Sequence, residues 1–375
     1  MGMFIQVSYF SLCIMDIADN LYFFDVVVEI FPFAMDVVDS ETKQNWFWFL
    51  NHLKVILPSD RVFTFVSDRH WGLVKSIPKV FPNSYHSYCK WHLKNNLSTC
   101  FPAKSKKKSF ILQLFVDCAY ASTHLDFQSA FDDLKSAAGK EINEFLKKAP
   151  IDHWANAYFP GQRYGMMCSN IAESFNGWIV KERTLPITSM LDKIRVKLMI
   201  MMSNRRESSR NWNTVLCPDM ETLLSEKINT SKTWKVMKSN DFVFEVQEEK
   251  THKVDLYYQH CSCNDWKIEG FPCNHVVLSI LADGKCVYDF CDPCFLSVNY
   301  QRSYSHAIFP ISNADRPGEV TNELHILPPE VKRTVGRPKR NRVPNAGSKV
   351  RKMRKCGRCH HLGFHNKKTC SESIH

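Results

Sequence analysis

Four potential metal donors fall within fifteen residues of this chain: Cys261-Ser-Cys263, then nine residues, then Cys273-Asn-His275. Three thiols and one imidazole at these spacings match a closed tetrahedral zinc site. The first pair, at i and i+2, fits an extended strand or its turn. The second pair leads into the apolar stretch 276–281, which reads as a helix. Protein donors fill all four positions, so the zinc expected here is structural and not catalytic. The chain has 15 cysteines, which in a secreted protein would suggest disulfides. Its apolar opening, residues 1–15, lacks the basic region and small-residue cleavage site of a signal peptide. The clustered thiols are therefore read as metal ligands in a reducing compartment.

The CxC, gap, CxH pattern resembles the SWIM zinc finger. The preceding strand-like words FVFEVQEEKTHKVDLYYQHCSC and the phrase GFPCNH look like the same family. SWIM modules are associated with binding DNA or protein, and the resemblance carries that expectation to this chain.

Charge is distributed unevenly along the 375 residues. Residues 331–375 hold 14 Lys/Arg and one acid, Glu372, for a net +13, while residues 1–330 hold 35 basic and 37 acidic residues, a net −2. A neutral body with a cationic tail points to a polyanionic partner, with DNA first among candidates. The tail also contains Cys356-Gly-Arg-Cys359, then His365 and Cys370, which looks like a CCHC zinc knuckle with five residues where four are usual between the second Cys and the His. His360 and His361 are alternative ligands. Between the two cysteine clusters, Gly336-Arg337-Pro338-Lys339-Arg340 resembles an AT-hook, a segment suited to a narrow A·T minor groove. It reads equally well as a nuclear-localisation signal. No run of about 18 uncharged apolar residues is present, so no membrane partner is expected.

The amino-terminal hundred residues alternate strand-like and helix-like patterns, the signature of an α/β sheet. Strands are expected at 4–17, 23–30, 31–38, 61–66 and 84–88. Helices are expected at 41–55, with Trp46, Phe49, Leu50 and Leu53 on one face, and at 72–80. Residues 93–165 read as a helical block, 170–203 as one long helix, and 228–260 as strands. Two acids stand out. Asp68 ends the apolar run FTFVSD, and strand ends in open α/β sheets gather ligand groups. Glu173 begins a helix in Asn170-Ile-Ala-Glu-Ser-Phe-Asn176. Taken alone, either residue fits a solvated or capping role.

The phrases around these acids resemble the Mutator-like (MULE) transposase domain. They are Val66-Ser-Asp-Arg-His-Trp-Gly, His86-Ser-Tyr-Cys-Lys-Trp-His92, Phe31-Pro-Phe-Ala-Met-Asp and Asn170-Ile-Ala-Glu-Ser. In that family a SWIM finger follows the transposase domain and a terminal knuckle is common. The resemblance implies a ribonuclease H-like fold with a DDE triad holding two divalent ions, Mg or Mn. Asp68 matches the second acid and Glu173 the third, and Cys89 and His92 match the family's CxxH pair. The first acid, carried on a first strand in a DGT-like phrase, has no counterpart before Phe4, and the Asp16–Asp19 region is a poor substitute. Residues 21–30 form a surplus between strands.

The expected organisation follows. Residues 1–92 form a partial ribonuclease H-like core lacking its first strand, and 93–165 a helical insertion. Residues 166–215 hold the final core helix with the third acid, and 228–300 the SWIM region. A basic linker spans 310–350 and a CCHC knuckle 351–375. The expectation is an amino-terminally truncated, transposase-derived, zinc- and DNA-binding nuclear protein of plant type without transposition activity. No small-molecule substrate is expected, and a homodimer on DNA fits the family. The rivals are an active transposase whose start lies upstream and a host-recruited transcription regulator.

Overall fold

The computed structural model describes residues 31–38, 40–102 and 107–312, the backbone of 12–16, and residues 354–356, 359, 362 and 363. The chain divides into two compact units, Met1–Ile326 and Leu327–His375. The first is a mixed α/β assembly with two small sheets.

The first sheet has three strands, β1 (Leu12–Asp16), β2 (Phe63–Ser67) and β3 (Tyr85–Tyr88), in that order. All five residues of β2 are buried, Thr64 and Ser67 included, as a central strand covered on both faces requires. β3 runs parallel to β2, with Ser67 opposite Tyr88, and β1 runs antiparallel, with Leu12 opposite Ser67 and Asp16 opposite Phe63. Between β1 and β2 lies α1 (Lys43–Ile56), capped by Thr42, whose side chain accepts from the Asn45 N–H. Its Trp46, Phe49, Leu50 and Leu53 are buried, the i, i+3, i+4, i+7 face of an amphipathic helix. They pack with Phe63 and Phe65 of β2 and with Leu73 and Ile77 of α2 (Trp71–Val80). Gly72 lets the two helices approach: a Cβ there would stand 2.7 Å from Trp46 Cδ1.

The stretch 31–37, expected as a strand, has no regular pairing, and only Val38 is a bridge residue. Pro32 lacks the amide donor that a ladder needs. The flanking rings are used in packing instead: Phe31 lies 5.4 Å from Tyr304, and Phe33 packs on the α1–α2 core. The strand expected at 23–30 and most of that at 4–17 lie outside the described residues.

A helical block follows β3: α3 (Lys90–Thr99), α4 (Lys108–Tyr120), α5 (His124–Ala138) and α6 (Lys140–Lys148). Leu97, Phe115, Phe127, Leu134 and Trp154 are its fully buried centre, whereas Phe110, at a helical interval with them, is exposed. Gly139, at φ 65°, takes the left-handed conformation between α5 and α6 that other residues adopt at a cost.

The helix expected over 170–203 is broken into α7 (Asn170–Trp178), a 3-10 turn (Glu182–Thr184) and α8 (Ile187–Arg210). Pro186 fixes where α8 begins. It caps α8 at its amino end, and the residue before a proline is driven out of the helical region; Leu185 is extended, at ψ 159°. Then come α9 (Pro218–Ser231) and a four-stranded antiparallel meander, β4 (Lys235–Lys238), β5 (Val243–Gln247), β6 (Thr251–Asp255) and β7 (His260–Cys261). Three α-helices close the described part of the unit: α10 (Asp265–Glu269), α11 (Asn274–Ala282) and α12 (Ser297–Ser303). One apolar cluster runs from Val66 of β2 through Tyr164 to Phe244, Val254, Val277 and Tyr304. No helix among the described residues is long and apolar enough to cross a membrane.

In the second unit, β8 (Arg354–Lys355) and β9 (Leu362–Gly363) pair antiparallel, with Arg354 opposite Gly363. Cys356 follows β8 directly and is buried, and Cys359 lies in the connecting turn. His365, Cys370, the 336–340 basic segment and nearly all of the 310–350 linker lie outside the described residues.

Candidate metal centre

Cys261 closes β7, Cys263 follows two residues later, Cys273 caps α11, and His275 sits in its first turn. α10 fills the gap between the pairs. Left-handed residues bound it, Asn264 at φ 66° and Gly270 at φ 67°, and they turn the chain back on itself in this short space. All four side chains are buried and their donor atoms lie within 4.8 Å of one another. Cys263 Sγ is 3.4 Å from Cys261 Sγ and 3.5 Å from Cys273 Sγ, while His275 Nδ1 is 3.8 and 3.7 Å from the sulfurs of Cys261 and Cys273. A tetrahedron with Zn–S of about 2.3 Å and Zn–N of about 2.1 Å has edges of about 3.6–3.8 Å, so the donors fit that ion.

The far side of the imidazole is also built. His275 Nε2 lies 3.2 Å from Glu248 Oε1, the same oxygen lies 3.4 Å from His252 Nε2, and the Trp234 ring stacks on His275. A carboxylate on Nε2–H leaves Nδ1 as the lone-pair donor. Burial, followed by the neighbouring His252, lowers the His275 pKa and favours the neutral ring that a metal needs. Contact with Cys263 and burial push the Cys261 thiol up to about 12, and contact with Cys261 does the same to Cys273. Metal binding here therefore releases protons. Glu248 and His252 escaped sequence reasoning. The strand alternation that places them was visible, but not the register that brings Val246 opposite His252.

The two acids occupy a different place. Asp68 follows β2, half-buried, and accepts the His70 N–H at 3.0 Å. Between them Arg69 is held at φ 70°, an unusual conformation for a side chain of that size. Glu173 is exposed in the first turn of α7, and its Oε1 is 3.6 Å from His92 Nε2. Cys89 is fully buried just after β3, and its sulfur accepts the Ser169 N–H at 3.3 Å. Contact with Cys89 raises the His92 pKa, and the charges of Asp68 and Glu173 add to the effect. The fold thus gathers Asp68, Glu173 and Cys89 around the imidazole of His92. It does not bring Asp16 there. Asp16 pairs with Phe63, five residues before Asp68, or about 16 Å along the strand. Two ions about 4 Å apart need their carboxylates at one end of the sheet. The residues described there do not make a three-carboxylate Mg or Mn site.

Comparison with known proteins places these features. A model of the MULE transposase domain matches residues 17–96, and a model of the SWIM zinc finger matches residues 252–284. No curated protein and no solved structure gives a match. The first span includes Asp68, Cys89 and His92, and the second all four clustered donors; Glu173 and the 356–370 cysteines fall outside both. The chain thus carries a segment similar to the MULE transposase domain, followed by one similar to the SWIM zinc finger.

Proposed function

We propose that this chain is a transposase-derived nuclear protein that holds structural zinc and binds DNA, and that it does not cut DNA as this sequence stands. The donor tetrahedron of Cys261, Cys263, Cys273 and His275 carries the reading, because its edges match zinc and its histidine has an orienting carboxylate. DNA as the partner rests on the transposase match and on the +13 of residues 331–375. In the same reading Cys356, Cys359, His365 and Cys370 form a second zinc module, and Gly336–Arg340 lies in the minor groove. The α/β body is read as ribonuclease H-like, with Asp68 and Glu173 as vestigial catalytic positions. The absence of cutting is the reading that follows from the missing DGT-like phrase; among the described residues, Asp16 pairs with Phe63 and does not lie beside Asp68.

The test uses the full chain, purified reduced with zinc. It should bind duplex DNA with an affinity that falls steeply with salt, and Cys273→Ser should lose one zinc equivalent. With Mg or Mn it should leave labelled DNA intact. Cleavage abolished by Asp68→Asn overturns the inactive reading, and unchanged zinc content in Cys273→Ser overturns the finger.

A further inference from the structure

We propose that Cys89, His92 and Cys168 form a second zinc site in the body, pinning the stretch before Glu173 to the end of β3. The site is separate from the finger and does not rest on the reading above. Three observations converge. Cys89 is fully buried at the amino cap of α3; its sulfur accepts the Ser169 N–H at 3.3 Å and lies in contact with the thiol of the preceding residue, Cys168. Among the described residues, four buried side-chain polar atoms have no hydrogen-bond partner, and two of them, His92 Nδ1 and Ser169 Oγ, are here. Both residues also touch the Cys89 sulfur, so a hydroxyl, an imidazole nitrogen and two thiols meet at one place without a conventional partner for either buried atom. The third observation is the orientation of His92. Its Nε2 faces Glu173 Oε1 at 3.6 Å, as Nε2 of His275 faces Glu248 at 3.2 Å in the finger. In both places a carboxylate holds one nitrogen and the other lies beside cysteine sulfur.

Two thiolates and an imidazole select zinc over hard cations. Ser169 Oγ or a water completes four-coordination, and the Ser169 N–H stabilises the thiolate of Cys89 by donating to its sulfur. The donors stand wider than the finger's four, which lie within 4.8 Å of one another. Cys168 is half-buried on the irregular stretch before α7, so zinc draws it in without moving a helix. Binding loses the protons of the two thiols to solvent and leaves His92 neutral.

The experiment counts zinc on the full reduced chain by native mass spectrometry, in wild type and in Cys168→Ser and His92→Gln. Each variant should lose one equivalent, while Cys261, Cys263 and Cys273 stay protected from alkylation. As a measurement that needs no variant, the cadmium-113 spectrum of the substituted wild-type chain should contain a two-thiolate resonance upfield of that of the three-thiolate finger. Equal zinc counts in folded variants overturn the proposal. So do a wild-type spectrum without that resonance and a Cys89–Cys168 disulfide in the freshly purified protein. Loss of the finger's zinc with the two-thiolate resonance kept would sink the finger and leave this site standing.

Discussion

Glu248 sits in the turn after β5 with one oxygen between two imidazoles, 3.2 Å from His275 Nε2 and 3.4 Å from that of His252. Its carboxylate fixes the ring whose other nitrogen faces the thiols. Glu248→Gln keeps the shape and removes the charge, and zinc affinity should fall by about 10- to 100-fold with the fold retained. Competition against a chromophoric chelator measures this. His86 gives the molecule a pH dependence. Burial first, then His153, holds its pKa at about 3 against an ordinary 6.5, and Ser67 Oγ lies 2.8 Å from its Nε2. The folded state binds fewer protons than the unfolded one between those values. Stability is therefore complete above about pH 6.5 and is lost as pH falls toward 3, at up to about 1.4 kcal/mol per unit. Denaturant titrations from pH 7 to 4 should show His86→Gln with a flatter profile than wild type. The four finger donors were legible in the sequence because they lie within fifteen residues. Glu248, 27 residues from His275, was not, because a strand register brings it there.

At the scale of elements, legibility followed periodicity and failed where one residue overrode it. The apolar face of α1 announced itself through Trp46, Phe49, Leu50 and Leu53, and all four are buried. The apolar rhythm of 170–203 promised one helix, and α8 begins only after Pro186. The stretch 31–37 had strand composition, but it carries Pro32 and spends its rings on distant helices. The α1–α2 crossing depends on a missing side chain. A Cβ on Gly72 would meet Trp46 Cδ1 at 2.7 Å and the Lys43 Cα at 3.1 Å. Trp46 is fully buried and α1 backbone does not yield, so Gly72→Ala should cost about 1–3 kcal/mol. Equilibrium unfolding in urea measures it, and an unchanged midpoint would mean that the helices separate without penalty.

Across the whole of the first unit, the finger is part of the body and not a bead beside it. Ser122 Oγ donates to Asp265 at 2.6 Å, Asn264 donates to the Ser122 carbonyl at 2.7 Å, and the Gly165 N–H donates to the Ile268 carbonyl at 3.1 Å. One apolar cluster joins them from Val66 to Val277. A metal that binds only the folded finger then stabilises everything attached to it, by about 4 kcal/mol at a thousand times its Kd. The amides of α4 and α5, in the helical block, report on the body. Their protection from hydrogen exchange should fall in chelator and return with zinc, whereas an independent finger would leave it unchanged. No local pattern in the sequence announces this docking, since its partners lie more than 100 residues apart.

The chain leaves the sheet at Lys90 and comes back at Met167, where the Lys90 N–H donates to the Met167 carbonyl at 2.8 Å; next to that bond, Ser169 meets Cys89 across 80 residues of sequence. Everything between is an excursion whose two ends are tied in a single knot. What the excursion contains does not set the spacing of Asp68 and Glu173, because the knot does. Helices could be lengthened, shortened or exchanged there while the neck, the first turn of α3 and the Ser122 contact with the finger are kept, so the outer faces of α4 to α6 are the natural place for a lineage, or an engineer, to write a new binding surface onto an unchanged frame.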